Sequence, residues 1–70
     1  MSPNPGLLRG AIVRLVRERG FGFIRADGTD FFFHKSGCID DFHDLGEGHA
    51  VQFEIEGSNR GPRAVNVEKV

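Results

Sequence analysis

The sequence predicts an all-β fold, with five short antiparallel strands rolled into one small closed barrel. Three observations lead there. Apolar residues recur at alternate positions over short windows, most clearly in His49–Glu56, where Val51, Phe53 and Ile55 alternate with Gln52, Glu54 and Glu56. Polar or glycine-bearing breaks separate the windows, at Arg17-Glu18-Arg19, Ala26-Asp27-Gly28 and Gly57-Ser58-Asn59-Arg60-Gly61. No segment carries a sustained helical period.

Residues 1–6, built from Pro, Gly, Ser and Asn with little to bury, read as a loose tail before a barrel domain at 7–70. Arg9–Val16 is β-branched and apolar and forms the first strand. Strict alternation sets Ala11, Val13 and Leu15 on one face and Ile12, Arg14 and Val16 on the other; a bulge would mix the sets. Gly20–Arg25 and Thr29–Lys35 form the second and third strands, paired as a hairpin through Ala26-Asp27-Gly28. Ser36–Glu47 is polar and acidic and reads as a long surface loop with one short helical turn near Cys38. The fourth strand is His49–Glu56. The fifth is Arg63–Val67, begun after Pro62, with Val65 and Val67 inward. Strands this short must close to hide their edges, which gives a barrel of the OB type. The expected core is Ile12 or Val13, Leu15, Ile24, Phe31, Phe33, Val51, Phe53, Ile55, Val65 and Val67.

Seventy residues make one domain with a small core. The single cysteine, Cys38, excludes an internal disulfide and points to a reducing compartment. No run approaches the roughly 20 apolar residues of a membrane span. Residues 1–6 lack the basic and apolar regions of a signal peptide. The expectation is a soluble cytoplasmic monomer with no membrane partner and no small-molecule substrate. The net charge of −1 hides an asymmetry: residues 1–35 balance to +3 and residues 36–70 to −4. A local positive field can steer a polyanion even when the total is near zero.

Phenylalanine supplies all seven aromatic residues, Trp and Tyr being absent. In Phe21-Gly22-Phe23-Ile24 and Phe31-Phe32-Phe33-His34, alternation puts Phe21, Phe23, Phe32 and His34 opposite Ile24, Phe31 and Phe33. One set fills the barrel and the other faces out. An exposed ring gives up burial worth about 1.5–3 kcal/mol, so an outward set implies a ligand. Flat rings beside cations are what unpaired bases stack on. The cations are Arg14, Arg17, Arg19, Arg25 and Lys35 near the rings and Arg60 in the last turn. Phe42, in the acidic loop, either lids the core or extends the platform by one base.

Other chemistries find no support. The glycines at 20 and 22 fail the dinucleotide pattern at Arg25 and precede no helix. His34, Cys38, His43 and His49 lack metal-ligand spacing. There is no nucleophile with an orienting base and no paired carboxylates, so neither enzyme nor cofactor is expected.

Arg19-Gly20-Phe21-Gly22-Phe23-Ile24 resembles Lys-Gly-Phe-Gly-Phe-Ile, the first RNA-binding motif of the bacterial cold-shock proteins and cold-shock domain. Phe31-Phe32-Phe33-His34-Lys35-Ser36 resembles the second, Val-Phe-Val-His-x-Ser. Leu45-Gly46-Glu47-Gly48, Val51-Gln52-Phe53-Glu54 and Gly61-Pro62-Arg63-Ala64-Val65-Asn66-Val67 resemble the same family, so the likeness runs from about Gly10 to Val67. It implies an OB barrel that binds single-stranded RNA or DNA, commonly as an RNA chaperone, with Phe21, Phe23, Phe32, His34 and Phe42 as the stacking set. Three departures stand out. Arg14 occupies the place of the family's exposed tryptophan, Lys35 that of a frequent aromatic, and the loop from Ser36 to Phe42 is about one residue short. The alternative is a protein-interaction barrel that has weakened or lost nucleic-acid binding.

Overall fold

The computed structural model describes residues 7–57 and 61–70. Five strands run β1 (Leu7–Val16), β2 (Phe21–Ala26), β3 (Thr29–His34), β4 (Ala50–Glu56) and β5 (Arg63–Lys69). They close into a barrel in the order β1-β2-β3-β5-β4. Every seam is antiparallel except that between β3 and β5, which is parallel and pairs Phe32 with Arg63 and Phe33 with Ala64. The expected all-β closed barrel is therefore the fold.

The β2–β3 hairpin forms because Asp27 and Gly28 both adopt positive φ, 54° and 78°. That is the backbone a two-residue turn needs to match strand twist. Ala26 pairs with Thr29 directly across it. The segment between β3 and β4 contains two short 3-10 turns, Lys35–Gly37 and Phe42–Asp44, where the sequence indicated one.

The barrel interior is filled by Ile12, Ile24, Phe33, Val51, Phe53 and Val67, each at most 1% exposed, with Phe31, Ala26, Leu45, Phe42 and Ala64 completing the core. Gly22 belongs to this interior. A Cβ there would come within 2.8 Å of the Phe33 ring and 2.6 Å of the Arg14 carbonyl, so the bare backbone makes room for Phe33.

Two expected core positions, Val65 and Ile55, differ, and the open choice between Ile12 and Val13 is decided, each for a traceable reason. The β1–β2 register shifts between Ile12, which pairs with Ile24, and Arg14, which pairs with Phe23. Val13 is the extra residue of this bulge and stays 39% exposed, so Ile12 is the core residue of the pair. In β5, Asn66 adopts φ 54°. It and Val67 together face the single residue Phe53, since Gln52 pairs with Glu68 and Glu54 with Val65. That extra residue turns Val65 outward beside Glu54 and sends Ala64 inward instead. Ile55 keeps its phase opposite Ala64 but sits one residue from the end of β4, 39% exposed. Leu15 packs against the core while only partly buried.

Candidate nucleic-acid interface

Barrel registry builds the outer face. Residues paired across neighbouring strands share a face, and the pairings join into rows. One row crosses all five strands, as Arg14, Phe23, Phe32, Arg63 and Glu56 on β1, β2, β3, β5 and β4. The row beside it runs Val16, Phe21, His34. The bulge at Val13 is what brings Arg14 into line with Phe23.

Phe21, Phe23 and Phe32 form a three-ring cluster on this face. Ring centroids lie 5.5 Å apart for Phe21–Phe32 and 6.0 Å for Phe21–Phe23 and Phe23–Phe32. Interplanar angles of 88° and 70° set Phe23 edge-on to the other two, an arrangement aromatic quadrupoles favour. Phe32 is 37% exposed, and Phe21 and Phe23 are half-buried against it and each other. His34 closes the row. Its Nδ1 accepts from the Ser36 main-chain N–H at 3.1 Å and lies 2.9 Å from the Ser36 hydroxyl, which fixes the ring.

The cations sort into held and unheld. Arg25 donates through two nitrogens to Asp30, at 2.7 and 3.2 Å. The hydrogen bond holds the Asp30 carboxyl below the usual carboxylate range and raises the Arg25 guanidinium. Arg17 reaches away, donating to the carbonyls of Leu45 at 2.7 Å and His43 at 3.3 Å. Both are thus engaged within the chain rather than aimed at the rings. Arg14, Arg19 and Lys35 have no acidic partner among the described residues. The Lys35 stem lies over Gly20, whose carbonyl accepts from the Lys35 N–H at 2.8 Å. Arg60 lies outside the described residues.

Phe42 requires a correction. It is 6% exposed and packs on Phe33, centroids 6.1 Å apart, so it lids the core and adds nothing to the stacking face. Asp41 caps the turn at Phe42–Asp44 by accepting from the His43 N–H, and Arg17 ties the same turn to the β1–β2 connection. The turn is thereby drawn onto the barrel. Cys38 is half-buried on this side, where burial and then Asp40 push its thiol up to about 11.

Arg63 is the residue that sequence reading missed. The expected phase, with Val65 and Val67 inward, put it on the inner side; the extra residue at Asn66 turns it outward together with Val65. Its place beside Phe32 comes from the β3–β5 pairing, which no local pattern encodes. Among the described residues no three or more His, Cys, Asp or Glu side chains gather as metal ligands, and no helix is long and apolar enough to cross a membrane.

Residues 8–70 match the family described as the "cold-shock" DNA-binding domain. The chain belongs to the cold-shock domain family. Its cold-shock relatives include the major cold shock protein CspA of Bacillus cereus, 53% identical over 63 residues that span 87% of this chain and 94% of that one. The cold shock-like protein CspE of Bacillus anthracis is 46% identical over 65 residues, 90% of this chain and 97% of its own. Cold shock protein CspA of Staphylococcus aureus is 42% identical over 64 residues, 89% and 97%.

Proposed function

We propose that the protein binds single-stranded nucleic acid, RNA in preference to DNA, by stacking bases on Phe21, Phe23, Phe32 and His34, and that it acts as an RNA chaperone by holding strands unpaired. Phosphates are met by Arg14, Arg19 and Lys35, with Arg60 added from the last turn. One observation carries the reading: three rings cluster on the outer face of a barrel too small to leave them out of its core without return. Stacking contributes about 1–3 kcal/mol per base and accepts any base, which suits a chaperone. Each strand held open offsets pairing elsewhere in the RNA.

Arg14 sets the character of binding. A guanidinium stacks on a base and meets a phosphate, but with less apolar area than an indole. Binding is therefore weaker than a Trp-bearing relative's by about 1–2 kcal/mol, and more salt-sensitive.

The test is a uridine hexamer titrated into labelled protein, followed by amide NMR and calorimetry because no Trp or Tyr reports quenching. Shifts centred on 20–24 and 32–35 that fade with salt, and a loss of about 1–3 kcal/mol in Phe23→Ala, support the reading. Tight binding indifferent to Phe23→Ala, or no binding at low salt, rejects it. The second outcome favours a protein-interaction barrel, a reading supported by the burial of Phe42 and the pairing of Arg25.

A further inference from the structure

A shallow cavity of about 320 Å3 opens where β3 meets β5, immediately past Phe32 in the ring row. His34, Gly37, Glu56, Arg63, Ala64 and Val65 are among the residues that line it. Gly37 and Ala64 add little bulk to this lining, and the room suits one planar base.

The charged pair at its rim is arranged unusually. Arg63 Nε and Nη2 both donate to the same oxygen, Glu56 Oε1, at 3.2 and 3.0 Å. Glu56 Oε2 and Arg63 Nη1 are left with no partner among the described residues. Glu56 thus keeps an acceptor and Arg63 a donor that have no partner among the described residues, and both side chains line the cavity. The two side chains are 48% and 54% exposed, and an ion pair so placed contributes little to folding. Its arrangement fits recognition better than stability.

We infer that the Arg63–Glu56 pair reads the Watson–Crick edge of one base and selects guanine over uracil. Guanine presents two adjacent donors, N1–H and N2–H, beside the O6 acceptor. The carboxylate accepts from the donors and Nη1 donates to O6. Uracil turns a carbonyl toward the carboxylate on either side of its one N–H, and adenine offers a single donor there. His34, fixed by Ser36, flanks the base as it leaves Phe32. The inference rests on the proposed stacking of a single strand, to which it adds a base preference at one position.

The experiment compares a uridine hexamer with hexamers carrying one guanine, or one cytosine, at each position in turn. Affinities are measured by calorimetry on the full chain and on Glu56→Gln and Arg63→Gln, each checked for fold by its amide spectrum. The best guanine hexamer is expected to bind about five- to tenfold tighter than uridine alone, the lower part of the range for a paired base contact because the site is open to water. Amides at 34–37 and 63–66 move with it. Either variant brings the guanine-to-uridine ratio below about twofold. A ratio near one in the unaltered protein, an equal gain from cytosine, or a ratio that survives both substitutions overturns the inference. Uridine binding that depends on Phe23 without guanine discrimination leaves the stacking reading standing and removes only this one. Absence of binding to every hexamer removes both.

Discussion

Phe33 is fully buried, whereas Phe32, one residue before it on β3, is 37% exposed. The two are chemically identical and face opposite sides of one strand. Phe33 fills the space that Gly22 vacates and touches Phe42, while Phe32 meets Phe21 and Phe23 on the outside. The hairpin therefore does two jobs with one residue type, and register alone decides which ring does which. A single-residue slip in β3 would exchange them and lose core and outer ring cluster together.

That contrast can be broken most severely from the inside. Phe33→Ala should cost about 3–5 kcal/mol, most of the ~3–10 kcal/mol expected for a chain this size, and denaturant titration should find it largely unfolded. Phe32→Ala should cost about 1 kcal/mol, mainly its contacts with the neighbouring rings, while weakening oligonucleotide binding by more than that. Comparable stability losses in the two would mean that the faces are not distinct. Phe42→Ala sharpens the same division in the loop. It should destabilise by about 3 kcal/mol yet leave the affinity of the folded fraction for a uridine hexamer unchanged. A loss of affinity in the folded fraction would return Phe42 to the binding face.

Much of this was legible in the sequence. The five strands, the hairpin turn and the separation of Phe21, Phe23 and Phe32 from Ile24, Phe31 and Phe33 all follow from period-two alternation, a local property. What escaped is of two kinds. Ile12 against Val13, and the outward turn of Val65, depend on bulges at Val13 and Asn66 that insert one residue and reverse the phase. Alternation cannot place such an insertion without its partner strand. Phe42 and Arg63 depend on contacts made across the barrel, with Phe33 and Phe32 respectively, and sequence spacing holds no trace of either.

A milder change tests the outer face itself. Arg14→Trp should tighten binding by about 1–2 kcal/mol and lower the salt slope by about 0.7 as one phosphate contact is lost. Unchanged or weaker binding would show that Arg14 takes no part. The smallest expected effect is on the inner side. Cys38 holds its thiol up at about 11 in the folded protein, against an ordinary 9.0. A raised value favours the protonated form in the fold. The contribution is therefore complete below about pH 9 and lost as pH climbs toward 11. The difference in Tm between the natural chain and Cys38→Ala should shift against the natural chain across that interval. A constant difference would place the thiol in ordinary solvent.

The seam between β3 and β5 deserves a last consequence. Phe32–Arg63 and Phe33–Ala64 are the pairings that join it, whereas β2 and β3 are matched along their whole length. A cylinder fastened so briefly on one side will breathe there first, and its amides should exchange with solvent ahead of the rest. A nucleotide lodged between His34 and Arg63 would span that gap like a rivet. Cargo and container would then steady each other, and the barrel would be at its stiffest while loaded.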